Sequence, residues 1–199
     1  MSLDYPIGAT PLDPDEIAGL IPRYITTQGE LNLLEQQNII EARAWAMEKK
    51  HRDILSDIFI RNLHKRMFKN VWKWAGKYRK SDKSIGVCWT QVPEEVHKLC
   101  SDTNFWIQNK SYVWDELAAR FHHRLVKIHP FPNGNGRHSR LLTDILMMNS
   151  EQQPLTWGAG TGGKDTKLEA KGDARTTYIN ALRDADQNRF DKLILFIRS

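Results

Sequence analysis

Between two stretches patterned for helix lies a segment that no helix can cross. It reads His129-Pro130-Phe131-Pro132-Asn133-Gly134-Asn135-Gly136-Arg137-His138-Ser139-Arg140. Pro130 and Pro132 lack a backbone N–H and push the residues before them out of the α region. Upstream, Trp114, Leu117, Ala118, Phe121 and Leu125 recur at helical spacing from about Val113 to Ile128. Downstream, Leu141, Leu142, Ile145 and Met148 do the same from near Gly136. A helix therefore stops, a stiffened loop presents His129, and a Gly-Asn-Gly run opens the next helix. The glycines let successive N–H groups converge, and the free N–H groups of the new helix add a positive end, which makes an anion nest. Arg137 and Arg140, three apart, share a face over the first turn, and arginine pairs bidentately with phosphate. A base, an anion nest and two arginines are the inventory for phosphoryl- or nucleotidyl-group chemistry.

The rest of the chain is also mainly helical. Asp13-Pro14 has the form of a cap followed by proline at the first helical position, opening a short helix that ends before Pro22. Thr27 and Glu30 have capping-box spacing, ahead of a helix with Leu31, Leu34, Asn38, Ala42 and Trp45 on one stripe. Another helix carries Ile54, Ile58, Leu63 and Met67 and runs on toward Gly76. Residues 77–90 break the pattern and predict a β-hairpin around the polar turn Ser81-Asp82-Lys83-Ser84. Pro93 starts a helix with Val96, Leu99, Cys100, Thr103 and Ile107 inward. Asp173 is a cap candidate for the closing helices. No repeat or linker divides the chain, so the expected organisation is an N-terminal segment, 1–26, with a short helix, and a single domain, 27–199.

Composition narrows the class. The 199 residues are 40% hydrophobic and 27% charged, an ordinary globular balance. A chain of this mass buries about 70% of its unfolded surface, enough for one sizeable core. No run approaches the roughly 20 apolar residues of a membrane span, and the acidic, proline-bearing start does not read as a signal peptide. Two cysteines, Cys88 and Cys100, are too few for a disulfide framework and fit a reducing cytosol. These features predict a cytoplasmic protein without membrane partners. The net charge of +5 is compatible with polyanionic ligands, but no block of like charge marks a nucleic-acid tail, and nucleic acid is not the expected partner.

The 129–140 segment resembles the Fic (Fido) motif, His-x-Phe-x-(Asp/Glu)-Gly-Asn-Gly-Arg-x-x-Arg, with one departure: Asn133 stands where the family has an acid. Leu63 to Phe68 with Trp74 to Arg79 resembles the part preceding the family's flap. Lys83, Ser84, Ile85, Gly86 and Val87 resemble the flap itself, and Arg175-x-x-Tyr178-x-x-Ala181-Leu182 its closing helix. The chain also resembles small bacterial Fic proteins labelled mobile mystery protein B. The resemblance implies a Fic-type helical bundle with a β-hairpin flap, and AMP transfer from ATP to a Ser, Thr or Tyr hydroxyl of a target protein. His129 would be the base, acting with Asn135 and Arg137. Phe131 would anchor the loop. Gly134, Asn135, Gly136, Arg137 and Arg140 would bind the nucleotide, and residues 83–87 would align the target. The family acid holds Mg²⁺. Asn133, an amide, would be a weaker ligand, which leaves open a weakened metal site, a metal carried by phosphates and water, or lost transfer.

Several residues carry two readings. Glu30 is either the capping partner of Thr27 or, since Thr26 to Asn32 resembles the family's inhibitory motif apart from Leu31, a self-inhibitory acid reaching Arg140. His138 falls between defined motif positions and reads as incidental. His122 and His123 read as structural. Gly158 to Asp165 nearly fits a P-loop but lacks the strand and the hydroxyl such a loop needs, so it reads as a loop. Trp72, Trp74 and Trp89 read as core, or as a surface near the flap. The leading expectation is a protein adenylyltransferase. The alternatives are a silent nucleotide- or partner-binding module, because of Asn133, and a Fic enzyme of altered chemistry: another nucleotide transfer, phosphotransfer, or removal of AMP with Glu30 as base. A toxin–antitoxin setting, with an antitoxin or regulatory partner, is implied by the resemblance alone.

Overall fold

The computed structural model describes residues 11–159, 168 and 172–199. Eight α-helices are described: α1 (Pro14–Ile17), α2 (Gln28–Met47), α3 (Asp57–Phe68), α4 (Val92–Gln108), α5 (Trp114–Ile128), α6 (Asn135–Asn149), α7 (Asp173–Asp186) and α8 (Asp191–Arg198). The mainly helical expectation holds.

Local chemistry sets the helix starts. Thr27 Oγ1 accepts from the Glu30 N–H at 3.2 Å, while the Glu30 carboxylate accepts from the Thr27 N–H at 3.0 Å, closing the capping box of α2. Ser56 caps α3 through the Phe59 N–H. Gly134, at φ +79°, starts α6 from the left-handed region. A Cβ there would meet the Phe68 ring at 2.5 Å, so only glycine lets the loop lie on that ring.

Helix α5 is the spine. One side buries Leu117, Phe121, Leu125 and Ile128 in a core shared with α2, α3, α4 and α6. The other side buries Ala118 and Ala119 in a second core with Trp157, α7 and α8. The buried stripe of α2 differs from the one read in the sequence: it runs Leu31, Glu35, Asn38, Ala42, Ala46, with a carboxylate on the apolar face. Ile58, expected inward, is 73% exposed.

The expected β-hairpin is not formed. Among the described residues there is no strand, only an isolated antiparallel bridge between Leu20 and Trp72. Residues 77–88 form an irregular segment, and one side chain supplies the bonds a ladder would have made. The Arg79 guanidinium donates to the Ser81 carbonyl at 2.9 Å and to the Val87 carbonyl. Trp72 stacks on Trp74 with centroids 4.9 Å apart, in keeping with the core reading, while Trp89 stays 41% exposed. Of the P-loop-like run, residues 160–165 lie outside the described residues. No helix among the described residues is long and apolar enough to cross a membrane.

Candidate active site

His129 ends α5 in the left-handed conformation, φ 54° and ψ 59°, and is 6% exposed. Burial, then the charges of Arg79 and Lys83, lowers its pKa to about 4, against a hydrogen bond to the Val126 backbone that favours the charged ring. The ring is therefore neutral at pH 7.

Three successive carbonyls around His129 are held by Arg79. Its Nε donates to the His129 carbonyl at 2.7 Å, its Nη2 to the Ile128 carbonyl at 3.4 Å, and its backbone N–H to the Pro130 carbonyl at 3.0 Å. The same guanidinium holds Ser81 and Val87, so Arg79 ties the 77–88 segment to the histidine turn. Nothing in the sequence marks Arg79 for such a role. A single arginine before a short irregular segment gives no sign that it will be buried, at 2% exposure. Gly86, at φ +113°, lies over the histidine: a Cβ there would stand 2.9 Å from the His129 Cβ.

Lys83 was expected to face a target. Its side chain is instead 3% exposed, and its ammonium lies 2.7 Å from Asp13 and 2.6 Å from Glu16. Ser81 donates to the same Asp13 carboxylate at 2.6 Å. Helix α1 thereby straps the segment down. Ser84, Ile85 and Gly86 remain exposed and Val87 is half-buried.

The loop from Phe131 to Asn135 is closed by the Asn135 carboxamide. Its Oδ1 accepts from the Phe131 N–H at 2.9 Å and its Nδ2 donates to the Phe131 carbonyl at 2.8 Å. Phe131 is fully buried and stacks on His64 at 3.7 Å. His64 Nδ1 accepts from the Gly76 N–H at 2.9 Å, so its Nε2 carries the proton and donates to the Asn133 carbonyl at 3.0 Å.

Asn133 does not fit a resident metal. Its Oδ1 accepts from the Gly134 N–H at 2.6 Å and stands 3.4 Å from an Arg137 nitrogen. An oxygen facing an N–H and a guanidinium is electrostatically set against a dication. No group of three His, Cys, Asp or Glu side chains among the described residues could hold a metal.

Arg137 and Arg140 lean apart rather than sharing one direction. Arg137 donates to Glu35 of α2 at 2.6 Å and lies over Phe68, its carbon 5.0 Å from the ring centre. Glu35 also accepts from the Trp72 indole at 2.6 Å, which satisfies both carboxylate oxygens in a buried setting. Arg140 lies over Tyr178 at 5.7 Å. Its Nη1 is 3.7 Å from where a Gly136 Cβ would be, so it flanks the start of α6. The Tyr178 hydroxyl bonds His122 at 2.8 Å. Glu30 stays at its cap, exposed, accepting from Thr26 and Thr27; the acid of α2 that reaches the motif is Glu35. Its spacing, four after Leu31 and three before Asn38 on the apolar stripe, was the available signal.

His138, read as incidental to the motif, is fully buried and donates to the Ile60 carbonyl at 2.9 Å, tying α6 to α3. His122, buried on α5, has its pKa lowered to about 3 by burial and then by the charge of Arg140. His123 bonds Asp186 at 3.1 Å.

The family model described as Fic/DOC family matches residues 54–147. A relative from Caenorhabditis briggsae, protein adenylyltransferase fic-1, is 34% identical over 113 residues, covering 55% of this chain and 22% of the relative. The chain thus spans about a fifth of the length of such relatives. The crystal structure of the N-terminal FIC domain of Bep8 from Bartonella sp. 1-1C superposes with a TM-score of 0.69 at 14% identity, covering 87% of this chain and 86% of that one. BepC from Bartonella tribocorum, with bound AMPPNP, superposes with a TM-score of 0.66 at 17% identity, covering 93% and 96%. At these identities the likeness is one of fold.

Proposed function

We propose, from the premise that residues 54–147 make this chain a member of the Fic/DOC family, that it is a nucleotidyltransferase moving AMP from ATP to a Ser, Thr or Tyr hydroxyl of a protein. The observation that carries the reading is one juxtaposition. A histidine kept neutral by burial directly precedes a loop that ends in the open N-terminus of α6, with Arg140 flanking that end. The C. briggsae relative's name points the same way.

In this reading ATP lays its phosphates at the N–H groups of the first turn of α6, which have no intrahelical partners. Gly134 and Gly136 let the phosphates approach, and Arg137 and Arg140 take the outer oxygens. His129 removes the proton from the target hydroxyl. The oxygen attacks the α-phosphorus, a new O–P bond forms, the bond to the β-phosphate bridge breaks, and pyrophosphate leaves with its electron pair. Asn135 acts by holding the loop closed on Phe131. Any Mg²⁺ enters as part of the nucleotide substrate, and no step is assigned to Asn133. Residues 84–86 offer an exposed stretch for a target segment.

Restraint of the site by acids of α2 belongs to the same reading. Glu35 already engages Arg137 and must exchange for phosphate. Glu30 would have to leave its cap to reach Arg140. The reading is tested by pyrophosphate release: it should require both ATP and an acceptor protein and vanish in His129→Ala. Release of inorganic phosphate alone would point to phosphotransfer or hydrolysis.

A further inference from the structure

Residues 61–80 contain eight basic residues and no acidic one, against a net charge of +5 for the whole chain. The fold gathers part of this excess into a groove of about 500 Å³ between α3 and the turn at residues 73–77. Gly76, at φ +76°, seats the turn on α3. A Cβ there would stand 2.8 Å from both the Arg61 carbonyl and the Lys65 Cβ, so the two walls are in contact at their base. Arg61 fastens the seat by donating to the Gly76 carbonyl at 3.0 Å. Lys65 lies on one wall, and Lys73 and Lys77 on the other. All three are exposed, and none has an ion-pair partner among the described residues. Ile58 lines the same groove at 73% exposure.

We infer that this groove docks an acidic segment of a partner protein, with the three ammonium groups taking carboxylates and Ile58 taking an apolar side chain. Polynucleotide fits less well. Single strands bind on aromatic platforms, and no aromatic side chain lines the groove; the neighbouring Tyr78 ring is covered by Arg61 at 5.3 Å with its hydroxyl committed to Asp57. Asp57 also lines the groove, with its two oxygens taken by Tyr78 and Arg61. An acidic peptide gains from flexible, strongly hydrated lysines that accept many geometries, and it uses the exposed isoleucine. The groove lies beside the segment that Arg79 ties to His129, and the Gly76 N–H on its wall is bonded to His64, which holds the Asn133 carbonyl. A partner held there stands next to the motif. Identifying it as the transfer substrate rests on the proposed function; the docking does not.

The test is fluorescence anisotropy on the full chain without nucleotide. The probes are a short labelled peptide of glutamate with interspersed leucine, and a labelled oligothymidylate. The charge-reversed triple Lys65→Glu, Lys73→Glu, Lys77→Glu is compared with an equal reversal elsewhere, Lys49→Glu, Lys110→Glu, Arg183→Glu. The milder triple to Gln guards against misfolding. The peptide should bind the wild type more tightly than the oligonucleotide does. It should weaken roughly tenfold or more in the groove variants and stay within about twofold in the control. Equal loss in both sets, no loss, or no peptide binding by the wild type would overturn the inference. Tighter, groove-dependent binding of the oligonucleotide would replace it with a nucleic-acid site. His129→Ala should bind the peptide like the wild type, so a failure of transfer chemistry and a failure of docking read out separately.

Discussion

The guanidinium of Arg79 donates to the carbonyl of His129 at 2.7 Å while also holding the Ile128 carbonyl behind it and the Ser81 and Val87 carbonyls in front. One buried side chain thus fixes both the turn that presents the base and the segment that covers it. A positive charge so near the ring also contributes to keeping it neutral.

Replacing Arg79 should therefore cost both stability and activity. Arg79→Ala leaves several buried carbonyls without donors, and a loss of about 3 kcal/mol or more is expected in urea unfolding. Arg79→Lys keeps the charge but not the fork. It should recover part of the stability while transfer remains depressed, because a point charge cannot hold carbonyls on both sides. Full activity in Arg79→Lys would argue that charge alone matters.

The strap formed by Asp13 and Glu16 on Lys83 should be separable from the fold. The double change Asp13→Asn, Glu16→Gln removes the ion pairs and leaves α3 to α8 untouched. Backbone amides of residues 81–87 should then exchange with deuterium about tenfold faster, with helix content by circular dichroism unchanged. Unchanged exchange would mean that Arg79 alone secures the segment.

Glu35→Gln should strengthen nucleotide binding. The amide still accepts from the Trp72 indole but no longer neutralises Arg137. Calorimetry with ATP should show a several-fold lower Kd. Glu30→Gly should lower the melting temperature slightly through loss of the cap. A gain in nucleotide binding for Glu30→Gly as well would mean that the cap opens and its acid reaches the site.

Acid should destabilise the protein in a defined window. His122, His129 and His138 have pKa values lowered to about 3, about 4 and about 4, chiefly by burial. In the unfolded chain each titrates near 6.5. Between those values the unfolded state binds more protons, so stability falls as pH drops through 6.5 and toward 4, by about 1.4 kcal/mol per pH unit for each histidine once it is well below 6.5. Asp144 works in the opposite sense, because burial raises its pKa to about 6 and the folded state takes up its proton first. Burial lowers His64 and His123 as well, so five histidines against this one carboxylate give a net loss. The urea midpoint should drop steeply from pH 7 to pH 5. A flat profile would contradict the neutral, buried assignment.

Asn133→Asp places a carboxylate at the start of α6, beside the Gly134 N–H and Arg137. A negative charge there is favoured by the helix end. The variant should bind Mg²⁺ measurably by calorimetry in the presence of a non-hydrolysable ATP analogue, where the wild type should give little metal-dependent heat beyond that of the nucleotide itself.

Much of this was legible in the sequence. Pro130 and Pro132 placed the break between α5 and α6, Thr27 marked the start of α2, and the apolar stripes located α4, α5 and α6 within a few residues. The hairpin is absent although the polar turn and apolar run at 81–89 satisfy strand patterning, because Arg79 satisfies the backbone from the side. Glu35 was missed because a carboxylate on an apolar stripe looks solvent-bound until its partners, Trp72 and Arg137, are known, and neither is local. Lys83 was read as facing outward for the same reason: its acids lie in α1, far away along the chain.

The central claim is that His129 drives transfer of the nucleotidyl group. Its most direct test is incubation of lysate with ATP labelled at the α-phosphorus or at the γ-phosphorus, using the wild type, His129→Ala, Glu35→Gln, Glu30→Gly and Asn133→Asp. The account predicts protein-bound label from the α position only, lost in His129→Ala and increased in Glu35→Gln. Label from the γ position, or α label that persists without His129, would contradict it.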